Sequence, residues 1–91
     1  MNTIDFTLVK GKLKSLEINC IKEKITERGV TQKWVAKQLN KTTNTLNGWC
    51  CNKVQPHLVD LFMLSILLDC SVEELIGKID KEHVLKECRN C

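Results

Sequence analysis

Gly29 and Asn40 bracket a run of ten residues with room for one short helix. Glycine ends a helix because it takes a left-handed backbone without a Cβ penalty, and asparagine tolerates the same sharp turn. Between them Thr31 supplies an N-cap, and Val35, Ala36 and Leu39 share one face. A helix this short is marginal in water on its own. It must bury that face against its neighbours, and this requirement shapes the middle of the chain.

Beyond the turn lies TTNTLNGWCC, residues 42–51. Three Thr, two Asn and a Gly are poor helix formers. Leu46 and Trp49 nevertheless stand three apart, the spacing of one buried helix face. The pattern predicts a helix from Thr42 to about Cys51, held by packing of Leu46 and Trp49 rather than by propensity. Ala36 keeps the facing side of the preceding helix small, so the pair can approach closely. This is helix-turn-helix logic, in which the second helix enters a major groove. Thr43, Asn44 and Asn47 then point outward from a fixed rod. Asn can donate and accept toward adenine, and Thr can hydrogen-bond or offer a methyl group to thymine.

The charge distribution points the same way. Net charge over the 91 residues is only +3. Residues 28–59, however, hold Arg28, Lys33, Lys37, Lys41 and Lys53 with no acid, whereas residues 60–91 are net acidic. An acid-free basic middle suits a surface that meets phosphate, and equally a solvated face with no partner. With 43% hydrophobic and 27% charged residues the chain is ordinary for one small folded domain, with a core shallow enough that self-association would add useful burial.

The flanks read less sharply. In TIDFTLV, residues 3–9, Ile4, Phe6 and Leu8 alternate with polar residues as in a strand, which would pair with a second chain or else form a loose arm; Gly11 ends it. Ser15 is placed to cap the next helix, whose apolar side is Leu16, Ile18, Ile21 and Ile25. Leu58–Leu68 is a fourth helix with Leu58, Leu61, Phe62, Ser65 and Leu68 on one face. Ser71 and Glu74 form a capping box for a fifth, ended by Gly77. Asp80–Cys88 adds a short helix with Val84, Leu85 and Cys88 on its apolar side. The expected fold is all-α. It has an N-terminal arm at 1–14 with a short β-strand, a helix-turn-helix domain at 15–77, and a tail or short helix at 78–91.

From Ile18 to Ile76 the chain resembles the phage-repressor and Cro-type (XRE-like) helix-turn-helix domains. The matching series is Gly29-Val30-Thr31-Gln32, Val35-Ala36, Leu39, Leu46, Trp49, Asn52-Lys53, Gln55-Pro56, Leu58, Leu61, Leu64, Leu68 and Ser71-Val72-Glu73-Glu74-Leu75. The resemblance implies a compact five-helix, lambda-repressor-like domain that binds double-stranded DNA as a dimer on a two-fold site. It puts Thr43, Asn44 and Gly48 opposite bases, with Asn47 beside them, and Gln32, Thr42, Thr45 and Lys53 near the DNA backbone, where Lys41 also belongs. Three departures stand out. Gly48 offers no side chain where a long polar one is common, Asn40 and Asn52 replace Gly, and Ile25 and Cys50 replace a buried Arg–Glu pair.

Val59, Met63 and Ile66 form a second apolar stripe on the fourth helix. It is expected to meet a second copy of the chain, the alternative being cover by Ile79, Val84 and Leu85 folding back. Trp34 is expected to pack on a neighbouring helix, or else to flank the DNA backbone. No signal segment is visible, and Leu61–Leu68, interrupted by Ser65, is too short to span a bilayer. A cytoplasmic protein with free thiols is therefore expected despite six cysteines. Cys20 and Cys70 fall in apolar helical positions. The single Cys88-Arg-Asn-Cys91 motif falls short of the four ligands zinc needs, so no metal or cofactor is expected and the end is read as free and fraying. No phosphate loop or nucleophile–base motif suggests an enzyme. Two other classes remain: a protein-interaction module on the same fold, such as an antitoxin-like partner, and, on cysteine count alone, a thiol or metal sensor.

Overall fold

In a computed structural model, described over residues 3–77 and 79–90, the chain is mostly helical. The elements are β1 (Thr3–Ile4), α1 (Phe6–Lys14), α2 (Ile21–Arg28), α3 (Gln32–Gln38), α4 (Thr43–Cys50), α5 (Leu58–Leu67), α6 (Val72–Leu75), α7 (Lys81–Cys88) and β2 (Arg89–Asn90). Helices α2 to α6 share one core, in which Ile21, Val35, Leu46, Leu64 and Leu75 are wholly buried. Ile25 and Cys50 both belong to that apolar cluster. No buried charge is then left to be neutralised at either position.

The turns are made by the residues their chemistry selects. Gly29 caps α2 with a left-handed backbone, φ +76°. Asn40 and Asn52 adopt the same conformation at φ +55° and +57°, after α3 and α4. Asp69 does so after α5 at φ +52°, a turn for which the sequence carries no glycine warning. Thr31 accepts a hydrogen bond from the Trp34 backbone N–H at the start of α3. Ser71 and Glu74 form the full capping box.

The N-terminal arm departs from the alternating pattern. Only Thr3–Ile4 is a strand, and it pairs antiparallel with Arg89–Asn90 of the same chain. From Phe6 onward the arm is helical through Gly11 to Lys14. Asp5 decides this, because its carboxylate accepts from the Thr7 and Leu8 backbone N–H groups as an N-cap. Residues Phe6, Val9 and Leu13 then fit a helical repeat as well as Ile4, Phe6 and Leu8 fit a strand. Ser15 is the C-terminal cap of this helix, not the N-terminal cap of the next. Leu16 to Asn19 form a non-helical link, and α2 starts only at Ile21, where the Asn19 side chain accepts the Ile21 N–H.

Helices α1 and α7 pack on each other. Val84 and Cys88 of α7 are buried, and the Asp5 N–H donates to the Cys88 carbonyl. The expected fraying end is therefore ordered through Asn90; Cys91 lies outside the described residues, as do Met1 and Asn2 of the arm. This unit extends the molecule to 49 × 22 × 20 Å, with a radius of gyration of 15.3 Å. A compact chain of this length would have about 12 Å. The α1–α7 unit joins the core through a narrow neck. There Asn19 bridges to Ile76, the Gly77 N–H donates to the Ile18 carbonyl, and the Cys20 N–H donates to the Leu75 carbonyl.

Gly77 is buried in the neck, and a Cβ there would collide with the backbone of Glu17 and Ile18. Backbone cannot yield as a side-chain tip does. Gly77→Ala is expected to cost about 1–3 kcal/mol, read as a fall in thermal midpoint of several degrees. An unchanged midpoint would show that the neck is not close-packed.

Candidate nucleic-acid interface

Helix α4 exists because its back is anchored. Leu46 is wholly buried, and Trp49 and Cys50 nearly so. Burial pushes the Cys50 thiol up to about 11, so it stays protonated as a small apolar filler. Thr42 caps the helix by accepting the Thr45 N–H at 3.1 Å, and the two hydroxyls lie 2.9 Å apart. One of their two hydroxyl protons is spent between them, which leaves the other free to donate outward.

On the front of the helix Thr43, Asn44 and Asn47 are exposed, while Thr45 and Gly48 are half-buried. Asn47 is not wholly free, because its side-chain oxygen accepts from the Cys51 thiol. Gln32, the first residue of α3, is half-buried. Lys33 and Lys37 are exposed along α3. Trp34 is 40% exposed, less packed than its size favours.

The lysines differ in what holds them. Lys53 is exposed, and among the described residues no acid pairs with it. Lys41 instead lies 3.5 Å from Asp60, a buried carboxylate in the first turn of α5. The acid-free stretch thus gains one acid through the fold, and Lys41 offers less charge than the sequence alone suggests. Lys10 and Lys14 do the reverse. They sit in a nearly neutral segment of sequence, yet with Lys53 they line one shallow groove of about 590 Å³ between α1 and the 52–55 loop. No periodicity in the sequence signals that meeting; it arises from the α1–α7 unit.

A buried polar network fixes the loop after α4. Asn19 is 6% exposed and sits at its centre. Its side-chain amide donates to the Trp49 carbonyl at 2.9 Å and to the Gln55 side-chain oxygen at 2.6 Å. Its backbone N–H donates to the Asn52 side-chain oxygen at 2.9 Å, and the Asn52 amide returns a bond to the Asn19 carbonyl. Every polar side-chain atom buried in the described structure has a partner. Asn52 and Trp49 lie thirty or more residues from Asn19 along the chain, so no local motif reveals these contacts.

Helix α5 keeps part of the expected face: Ser65 and Leu68 are buried and Leu61 packs on the core. Asp60, paired with Lys41, and Leu64 are buried beside them, and the Ser65 hydroxyl donates to the Phe62 carbonyl within the helix. Leu58 and Phe62, expected inside, are 67% and 52% exposed. Val59 and Ile66 are 70% and 80% exposed, whereas Met63 leans against the core. The C-terminal segment does not cover this ridge, because α7 packs on α1.

Among the described residues no cluster of three or more His, Cys, Asp or Glu is placed to hold a metal. Nor, among them, is any helix long and apolar enough to cross a membrane. No protein-family model matches the chain, and no curated protein does. Among solved structures it is similar to a "putative DNA-binding protein from Bacteroides fragilis", at 38% identity and a TM-score of 0.65. The match spans 66% of this chain and 97% of that one.

Asn19→Leu would remove the side-chain bonds to the Trp49 carbonyl and the Gln55 side-chain oxygen and leave the Ile21 N–H without its acceptor, whereas Asn52 keeps its bonds to the Asn19 backbone. The expected cost is about 1–3 kcal/mol for each group left unsatisfied. Hydrogen exchange of the Lys53 and Val54 amides should quicken by more than that of the Leu64 amide. Equal acceleration at all three would mean that Asn19 serves general stability and not the loop.

Proposed function

The chain belongs to the same family as that Bacteroides fragilis protein, and on this premise we propose that it binds double-stranded DNA as a sequence-specific transcriptional regulator of the phage-repressor/Cro type, acting in the cytoplasm. Helix α4 enters the major groove. Thr43, Asn44 and Asn47 face base edges, and the Thr42–Thr45 hydroxyl pair, Gln32 and Lys53 meet phosphates, with Lys41 a weaker contributor because Asp60 holds it. One observation carries the reading: exposed Thr and Asn side chains stand on a helix whose back is fully anchored, beside a lysine that no acid pairs with among the described residues. Base contacts then discriminate and phosphate contacts position.

The DNA-bound form is a homodimer on a two-fold site. The α5 ridge of Leu58, Val59, Phe62 and Ile66 supports this, since large exposed apolar patches mark interaction surfaces. The same ridge is what favours the second reading, a protein-interaction module whose partner is a different chain.

Binding to duplex DNA should weaken steeply as salt rises. Lys53→Ala should lower affinity for all sequences alike and reduce the salt slope by about one. Asn44→Ala should blur the preference at a single base position, at a cost of about 1–3 kcal/mol. Selection from random duplexes reads this directly, and an unchanged selected motif would remove Asn44 from the base-reading set. In sedimentation the protein should run as a dimer at micromolar concentration and Ile66→Lys as a monomer. A monomeric wild-type protein would instead leave the ridge for another partner.

A further inference from the structure

We propose that Val54 is a specificity-determining residue, whose exposed methyl groups occupy the place left by Gly48 and read the C5-methyl group of a thymine in the major groove. The inference rests on the DNA-binding reading above and extends its base-reading set beyond α4.

Gly48 is one helical turn beyond Asn44 and shares its face. Its backbone does not require glycine, because among the glycines only Gly29 has a positive φ. Glycine inside a helix costs about 1 kcal/mol relative to alanine, so a packing reason is needed. A Cβ at Gly48 would lie 2.9 Å from Val54 Cγ2, closer than real Cβ atoms come. The space a side chain of residue 48 would fill is already taken by Val54. The loop is tied there by two hydrogen bonds, from the Lys53 and Val54 N–H groups to the Gly48 carbonyl at 3.0 and 3.3 Å. Asn52, turned left-handed and bonded to Asn19, holds the loop from the other side.

Val54 is 54% exposed even so. Its Cγ2 lies over Gly48, on the face of α4 that carries Asn44, and the residue also borders the α1 groove with Phe6, Val9 and Leu13. Valine is stiff about χ1, so its methyl groups are held in place with little entropy left to lose on contact. In the major groove the feature that suits such a group is the thymine methyl, which cytosine lacks. The polar side chain missing at Gly48 is thereby replaced by an apolar one from the adjoining loop.

The test uses the site selected from random duplex DNA by the full-length protein. Each thymine in it is replaced in turn by deoxyuridine, which keeps the O4 acceptor and lacks the methyl group. Wild-type protein should bind about four-fold more weakly when one particular thymine is replaced, the worth of one methyl group removed from contact. Val54→Ala should bind the thymine and deoxyuridine sites equally while melting at the wild-type temperature. Val54→Thr, which keeps the shape and exchanges one methyl for a hydroxyl, should show a reduced ratio. The proposal is overturned if no thymine replacement weakens wild-type binding, or if Val54→Ala keeps the full discrimination. In that case salt-dependent binding of the selected site still stands, and only the Val54 role fails. If no DNA is selected at all, the DNA-binding reading and this assignment fall together.

Discussion

Burial of Leu46 and Trp49 is what makes residues 43–50 a helix. Their own segment would not sustain one in water, because its other side chains are short, polar and inclined to bond to nearby backbone. Anchoring at the back frees the front from any structural duty. Thr43 and Asn44 can therefore be chosen for what they touch outside the protein. The core they depend on is small, and it is completed from both sides by helices α2, α3, α5 and α6.

A second layer of control lies beside the helix, not beneath it. The segment from Asn52 to Gln55 is bolted to Asn19 and to the last turn of α4, so Lys53 and Val54 hold fixed positions relative to Asn44. A flexible loop would lose entropy each time it met a ligand. Here that ordering is already done in the free protein. Asn19 serves both ends of the arrangement, since the same side chain also receives the first free N–H of α2.

How much of the structure is legible in the sequence depends on how far each signal reaches. The stop at Gly29, the cap at Thr31, the turn at Asn40 and the Ser71–Glu74 box all act within four residues, and all stand where local chemistry puts them. The outward set on α4 is legible for the same reason. The arm misleads because residues 3–9 satisfy two periodicities at once, and a single carboxylate at position 5 breaks the tie. The burial of Asp60 on α5 goes with its pairing to Lys41 across a helix and a loop. The Asn19 network and the gathering of Lys10 and Lys14 beside Lys53 depend on contacts between segments far apart in the chain. No pattern of neighbours encodes those.

The pairing of β1 with β2 has a consequence for how the molecule loosens. Helix α1 has α7 as its main packing partner, and the two meet the rest chiefly across the slender link at Asn19, Ile76 and Gly77. Segments this distant along the chain order themselves late and come apart together. The two ends are therefore expected to open as one cooperative unit, ahead of the interior. Removing residues 81–90 would strip α1 of its support, although α1 itself had not been touched.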